Sequence, residues 1–133
     1  MIDVQETNRL KDAINADPQN FEEIIENTDL AICITDENGY FVAVNDNYCD
    51  MYEYDRNELI GQSFLMVVPD ENKDDLTDLH EKFIEIQIEM FRDWEVVNKS
   101  GKRMKIDVDA GFTDKINDAP HKITFVKLNQ VLN

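Results

Sequence analysis

The stretch LAICITDENGYFVAVN, Leu30 to Asn45, reads as a β-hairpin. Leu30 to Thr35 is an apolar run with the isoleucines that suit a pleated, buried surface. Asp36-Glu37-Asn38-Gly39 is a turn with Gly39 where a positive φ is wanted, and Tyr40 to Val44 is the return strand. Asn45 stands where an N-cap would open a helix carrying Tyr48, Cys49 and Tyr52.

Outward from the hairpin, the pattern alternates between helical and strand periods. Asp55 and Glu58 form a capping-box pattern closed by Gly61. Pro69-Asp70 opens a longer helix, Asp70 to Ile86, whose inner face carries Leu76, Leu79, His80 and Phe83. Two strands follow around the turn Asn98-Lys99-Ser100-Gly101. In the second, Met104, Ile106, Val108, Ala110 and Phe112 alternate with polar or small residues, the period of a half-buried strand. KITFVKLNQV, Lys122 to Val131, is the last strand. Upstream, Ile2 to Ala16 reads as an amphipathic helix with Leu10, Ala13 and Ile14 on one face, and Asp17-Pro18 restarts the chain into a short helix with Phe21, Ile24 and Ile25. So weakly apolar a first helix needs a surface to pack on, either its own domain or a second copy. The order is that of an α+β domain with an antiparallel sheet.

Composition narrows the functions. The 133 residues suit one domain, and the formal net charge of -16 argues against nucleic acid or an anionic membrane surface as partner. No apolar run is long enough for membrane insertion, and the N-terminus lacks a signal-peptide pattern, so the cytoplasm is the expected location; a cytosolic piece of a membrane receptor would read the same way. The two cysteines, Cys33 and Cys49, form no CxxC pair, and the two histidines, His80 and His121, form no metal-binding spacing, so no metal site is expected. No Ser-His-Asp set, phosphate loop or metal dyad marks an enzyme.

The segments FEEIIENTDLAICITDENGYFVAVND, YEYDRNELIGQSFLMVVPDEN, WEVVNKSGKRMKIDVDAGF and HKITFVKL, in this order, resemble a PAS domain over Phe21 to Leu128, although Glu53 stands where the family often has Gly. The resemblance implies a five-stranded antiparallel sheet covered on one face by short helices. With the N-terminal helix it divides the chain into residues 1–17, a dimerisation helix using Leu10, Ala13 and Ile14, and residues 18–133, the PAS domain. It further implies a sensory role in signal transduction, two-component regulation included, with a homodimer and an effector such as a histidine kinase as partners. Family members hold haem, flavin, a small metabolite or nothing known.

Each ligand class has candidates. In light-sensing flavin domains a cysteine follows the Ile-Gly segment; here Phe64 occupies that position, and Cys49, a helix earlier among Asp46, Asp50 and Glu53, reads as an inert packed thiol. Haem-binding relatives place a histidine at the position of Leu76; His80 lies one turn later on the same face and is the alternative ligand. Trp94, Asn98 and Gln87 are of types that could hold a flavin without photochemistry. Arg56, Lys99, Lys102 and Arg103 sit at helix ends and turns, so no cation is expected to face inward and anionic metabolites are disfavoured. Ile32, Ile34, Phe64, Leu76, Leu79, Phe83, Val108 and Phe125 are the expected inward set, lining a small uncharged ligand or simply filling a core. His121 is expected to be exposed. No cofactor is favoured; the alternatives are a haem or flavin sensor and a ligand-free dimerisation module.

Overall fold

The computed structural model describes residues 2–87 and 89–132, with backbone but not side chains for residues 89–92; Met1 and Asn133, the ends of the expected ranges, lie outside the described residues. Helix α1 spans Val4–Ala16 and begins where the Asp3 carboxylate accepts the Gln5 and Glu6 N–H groups. Pro18 opens a single 3₁₀ turn, Pro18–Asn20, which runs into α2, Phe21–Ile24. The hairpin strands are β1, Ala31–Asp36, and β2, Phe41–Val44. Next come α3, Asp46–Tyr52, and α4, Arg56–Leu59, which starts with the Asp55/Glu58 capping box. The long helix opens with a 3₁₀ turn, Asp70–Asn72, before α5, Lys73–Ile86. Strands β3, Glu89–Val97, β4, Arg103–Thr113, and β5, His121–Val131, complete the chain.

All strand pairs are antiparallel, in the order β2-β1-β5-β4-β3, so the last strand in sequence lies at the centre of the sheet. At the β1–β2 turn the Asp36 carboxylate accepts the Asn38 and Tyr40 N–H groups, and Gly39 has φ +84. A side chain at Gly39 would also meet the Phe64 ring, since a Cβ there lies 2.9 Å from Phe64 Cδ1. Asn45 does more than cap α3. Fully buried, it accepts the Ile32 and Tyr48 N–H groups through Oδ1 and donates through Nδ2 to the Ile25 and Leu30 carbonyls. One side chain thus ties β1, α2 and α3 together.

The sheet buries both faces. Helices α3, α4 and α5 cover one, where Cys33, Val108 and Val126 meet Tyr48, Tyr52 and Val67. Helices α1 and α2 cover the other, where Leu10, Ile14 and Ile25 pack on Ile32, Ile34, Ile123 and Phe125. One expectation is corrected here. Ile32, Ile34 and Phe125 do not face the main helical layer; they form the floor under α1. Leu10 and Ile14, the residues expected to serve a dimer, are 0% exposed within their own chain, and Ala13 is half-buried. The physical reason is closure: α1 and the second sheet face each carry an apolar surface, and burying each against the other gains about 1.5–3 kcal/mol per large side chain without the cost of association.

Polar contacts set the register of α1. Thr7, Lys11 and Asn15, one turn apart, face Asp109, Gly111 and Thr113, alternate residues of β4. Thr7 Oγ1 donates to Asp109 Oδ2 at 2.5 Å, Lys11 Nζ to the same oxygen at 3.2 Å, and Thr113 Oγ1 to Asn15 Oδ1 at 2.9 Å. Gly111 leaves room for the Lys11 stem, whose Cγ and Cε would lie 2.9 Å from a Cβ there.

Candidate functional site

Between the sheet and the α3–α5 layer is a cavity of about 70 Å³. Its floor is built from alternate residues of four strands: Cys33 and Thr35 of β1, Lys122, Thr124 and Val126 of β5, Ile106 and Val108 of β4, and Trp94 and Val96 of β3. Its roof is Tyr48 and Tyr52 of α3, the turn Phe64 to Val68, and Leu76 and His80 of α5. Of the expected inward set, Phe64, Leu76 and Val108 come together here, joined by the haem and flavin candidates His80 and Trp94. Leu79 is half-buried and Phe83 fully buried, but neither reaches the cavity, and Ile32, Ile34 and Phe125 are on the opposite face.

The residues missed from sequence include the small and polar members of the strands, together with Tyr48 and Tyr52 and several valines. In β1 and β5 the bulkier apolar residues point at α1, while Cys33, Thr35, Lys122, Thr124 and Val126 point into the cavity. A signal existed: an amphipathic first helix demands a second apolar sheet face, and the run Ile32, Ile34, Ile123 and Phe125 supplies it. Lys122 overturns the expectation that no cation faces inward. It is 8% exposed, with its Nζ 4.8 Å from the centre of the Phe83 ring.

The tyrosines form a polar spine across the roof. Tyr48 and Tyr52 stack at 4.3 Å, and Phe41 meets Tyr48 edge-on at 5.8 Å. Burial pushes both phenols well above the usual range, and Cys33 beside them adds to the shift. Cys49 is outside the cavity. Burial pushes its thiol up too; Arg56 pulls against this, while Asp46, Asp50 and Glu26 reinforce it. The inert-thiol reading of Cys49 therefore has a physical basis.

His80 is a tether. Its Nε2 lies 3.1 Å from both the Asp36 and Glu37 carbonyl oxygens, acceptors that require this nitrogen to carry the proton and donate. Its ring sits 5.4 Å from Phe64, so α5, the hairpin turn and the cavity wall meet at this residue. His80 Nε2, the nitrogen an iron would take, is already committed to two backbone carbonyls, and haem or flavin needs several hundred Å³ where the cavity offers about 70 Å³. The flavin set is also dispersed. Asn98 caps its own turn, accepting from Ser100 Oγ and Lys102 N–H, and Gln87 ends α5 with φ 69. Neither group fits these residues as they stand. Among the described residues no cluster of three or more His, Cys, Asp or Glu side chains could hold a metal, and no helix is long and apolar enough to cross a membrane. His121, expected to be exposed, is buried at the start of β5, with Nδ1 2.8 Å from the Ala119 carbonyl oxygen.

A family model described as the PAS fold matches residues 19–120. Among solved structures, a PAS domain from a two-component sensor histidine kinase superposes with TM-score 0.69 at 21% identity, covering 86% of this chain and 97% of that one. The PAS domain of an HTR-like protein from Haloarcula marismortui gives TM-score 0.71 at 17% identity, over 92% and 99% of the two chains. A PAS domain from Desulfitobacterium hafniense gives TM-score 0.73 at 14% identity, over 80% and 99%. At these identities the likeness is one of fold. No curated protein matches the chain.

Proposed function

The chain belongs to the PAS family, and from that premise we propose that it is a non-catalytic sensory module that reads the state of its internal cavity and reports it through α1. The observation that carries this reading is the parity of the central strands. In β5, Lys122, Thr124 and Val126 line the cavity while Ile123 and Phe125 hold Leu10 and Ile14. In β4, Val108 lines the cavity while its neighbour Asp109 holds Thr7 and Lys11. A single layer of backbone separates signal site from output helix, so a change in cavity volume bears directly on the contacts that dock α1.

The effector is a signalling partner of the histidine-kinase kind, by analogy with the sensor kinase whose PAS domain shares the fold. Undocked α1 would offer Leu10 and Ile14 to that partner or to a second copy, which places the dimerisation helix in the activated state.

The test needs no ligand. Val108→Phe fills the cavity from its floor, next to Asp109. Hydrogen exchange of the α1 amides should accelerate at least five-fold relative to wild type, while β1–β2 retains its protection. Unchanged exchange in α1, in a protein shown to be folded with its cavity filled, would sink the proposal.

A further inference from the structure

We infer that Phe64 is the gate of the internal cavity: its ring swings into a surface notch to admit small molecules and closes against ring-sized ones. The link to signalling rests on the reading of the cavity as the sensing site.

The first observation is a shared wall. Beside the cavity lies a surface notch of about 150 Å³, with Glu37, Ser63, Thr77 and Glu81 in its lining. Phe64 and His80 line both the notch and the cavity. These two side chains therefore stand between solvent and the interior. Most other lining residues are buried; the half-buried ones besides Phe64 are Leu76, Trp94 and Thr124. Thr124 lies in the central strand, away from any edge of the sheet. Phe64, Leu76 and Trp94 are then the places where the cavity wall meets solvent.

The second observation is that one side of this boundary is fixed and the other can turn. His80 is held by its Nε2, 3.1 Å from the Asp36 and Glu37 carbonyl oxygens. The Phe64 ring has no polar atom to hold it. Its main chain is nonetheless anchored: the Phe64 N–H donates to the Gly39 carbonyl oxygen at 2.9 Å, and Ser63 bridges to Tyr40. The ring can thus turn about its own two torsions while the backbone stays in place. With ring centroids 5.4 Å apart, turning Phe64 away opens a gap beside a stationary His80.

The third observation is room at both ends of the swing. The closed seat is against Gly39, where a Cβ would lie 2.9 Å from two carbons of the ring. The open seat is the notch, whose volume of about 150 Å³ matches that of a cavity known to accept benzene, roughly 150 Å³. The gap is no wider than the phenyl ring that vacates it. Passage therefore favours small molecules without rings, the size that a cavity of about 70 Å³ can hold.

The experiment reads access to Cys33, which lines the cavity, in a Cys49→Ser parent that lacks the outer thiol. The probe is methyl methanethiosulfonate, small and uncharged. The Cys33 thiolate attacks its sulfenyl sulfur, methanesulfinate leaves, and the methylthio group kept on Cys33 is followed by mass spectrometry. Labelling of the parent should be independent of urea up to about 1 M, because a turning ring exposes little new surface, whereas entry by global unfolding accelerates with urea. Phe64→Ala should label at least about ten-fold faster, still without urea dependence. Leu76→Ala, which trims the other half-buried position of the roof, should stay within about three-fold of the parent. Dithiodipyridine, a larger probe with two rings, should reach Cys33 of the parent only by the urea-dependent route; urea-independent labelling overturns the size limit. Parent labelling by the small probe that rises with urea as steeply as unfolding overturns the gate. That measurement needs no substitution at Phe64, so it stands even if Phe64→Ala misfolds. A Phe64→Ala rate no faster than the parent's, or a Leu76→Ala rate above it, also overturns the gate. None of these outcomes touches the sensing reading, which falls only with the α1 exchange result for Val108→Phe.

Discussion

Asp109→Ala should release α1 without unfolding the sheet. The Asp109 side chain is 5% exposed and that of Lys11 23%, so their ion pair is well shielded from solvent. The variant removes the charge-assisted bond from Thr7, worth about 1.5–3 kcal/mol, and a partly buried ion pair worth roughly 0.5–1 kcal/mol. Both partners have fallbacks: Thr7 Oγ1 lies 3.1 Å from the Val4 carbonyl, and Lys11 can swing to water. The loss is therefore bounded at about 2–4 kcal/mol. A 13-residue helix does not hold itself together in water, so the loss appears as local opening. Hydrogen exchange with mass spectrometry should show α1 amides exchanging between about 30-fold and 1,000-fold faster, with β4 and β5 peptides nearly unchanged. Gly111→Ala is the internal control: its Cβ pushes the flexible Lys11 stem aside and leaves Thr7 in place, so the effect should stay near or below about 1 kcal/mol. If α1 is unaffected by Asp109→Ala, or if β5 loses protection to the same degree, the latch as described is wrong.

Asn45→Ala should cost roughly 4 kcal/mol or more in urea unfolding, because it strands two N–H groups and two carbonyls that Asn45 alone ties together; a loss under about 1 kcal/mol would contradict the hub role. Deleting residues 1–17 uncovers Ile32, Ile34, Ile123 and Phe125, so light scattering should show the truncated protein self-associating; a monomer of wild-type thermal stability would contradict the account of α1 as a cover. Asp107 supplies a pH dependence. Burial raises its carboxyl, but favourable contacts to its charged form, those from the Asp93 N–H and the Asn129 amide among them, outweigh that and hold it below its ordinary 3.8. A carboxyl depressed by folding contributes stability above its unfolded value that is lost as pH falls through the folded one. Wild type should therefore lose more stability than Asp107→Asn on acidification from about pH 5 to below pH 3, and parallel curves would contradict this.

What could be read from sequence was what is decided locally. The Gly39 turn, the Asn45 cap and the Asp55/Glu58 box each depend on a few consecutive residues, and each stands where expected. Strand parity in β1 and β5 was not legible, because a sheet covered on both faces gives no alternation of apolar with polar to read. Bulk suggested Ile32, Ile34 and Phe125 for the cavity, but bulk belonged under α1. Lys122 was passed over because a lysine in a strand ordinarily faces water; its burial depends on Phe83, from a distant helix. His80 was recognisable as a buried face residue, yet its partners are backbone carbonyls of the hairpin turn, and main-chain atoms carry no sequence label.

The latch also limits how strong a signal this fold can send. Val108 and Asp109 are consecutive, so their Cα atoms are about 3.8 Å apart and cannot move independently. The Thr7–Asp109 bond at 2.5 Å is lost by about 3.5 Å, so a shift of β4 near 1 Å is enough to break it. A ligand, however, can move the equilibrium only by its preference for one state. A ligand that bound solely to the undocked form would, at ten times its Kd, supply about 1.4 kcal/mol, or a ten-fold rise in open α1. That is less than the 2–4 kcal/mol of the latch. Ligand alone should therefore raise α1 exchange by about ten-fold at that concentration, and a much larger rise would mean that the ligand acts on more than this one latch.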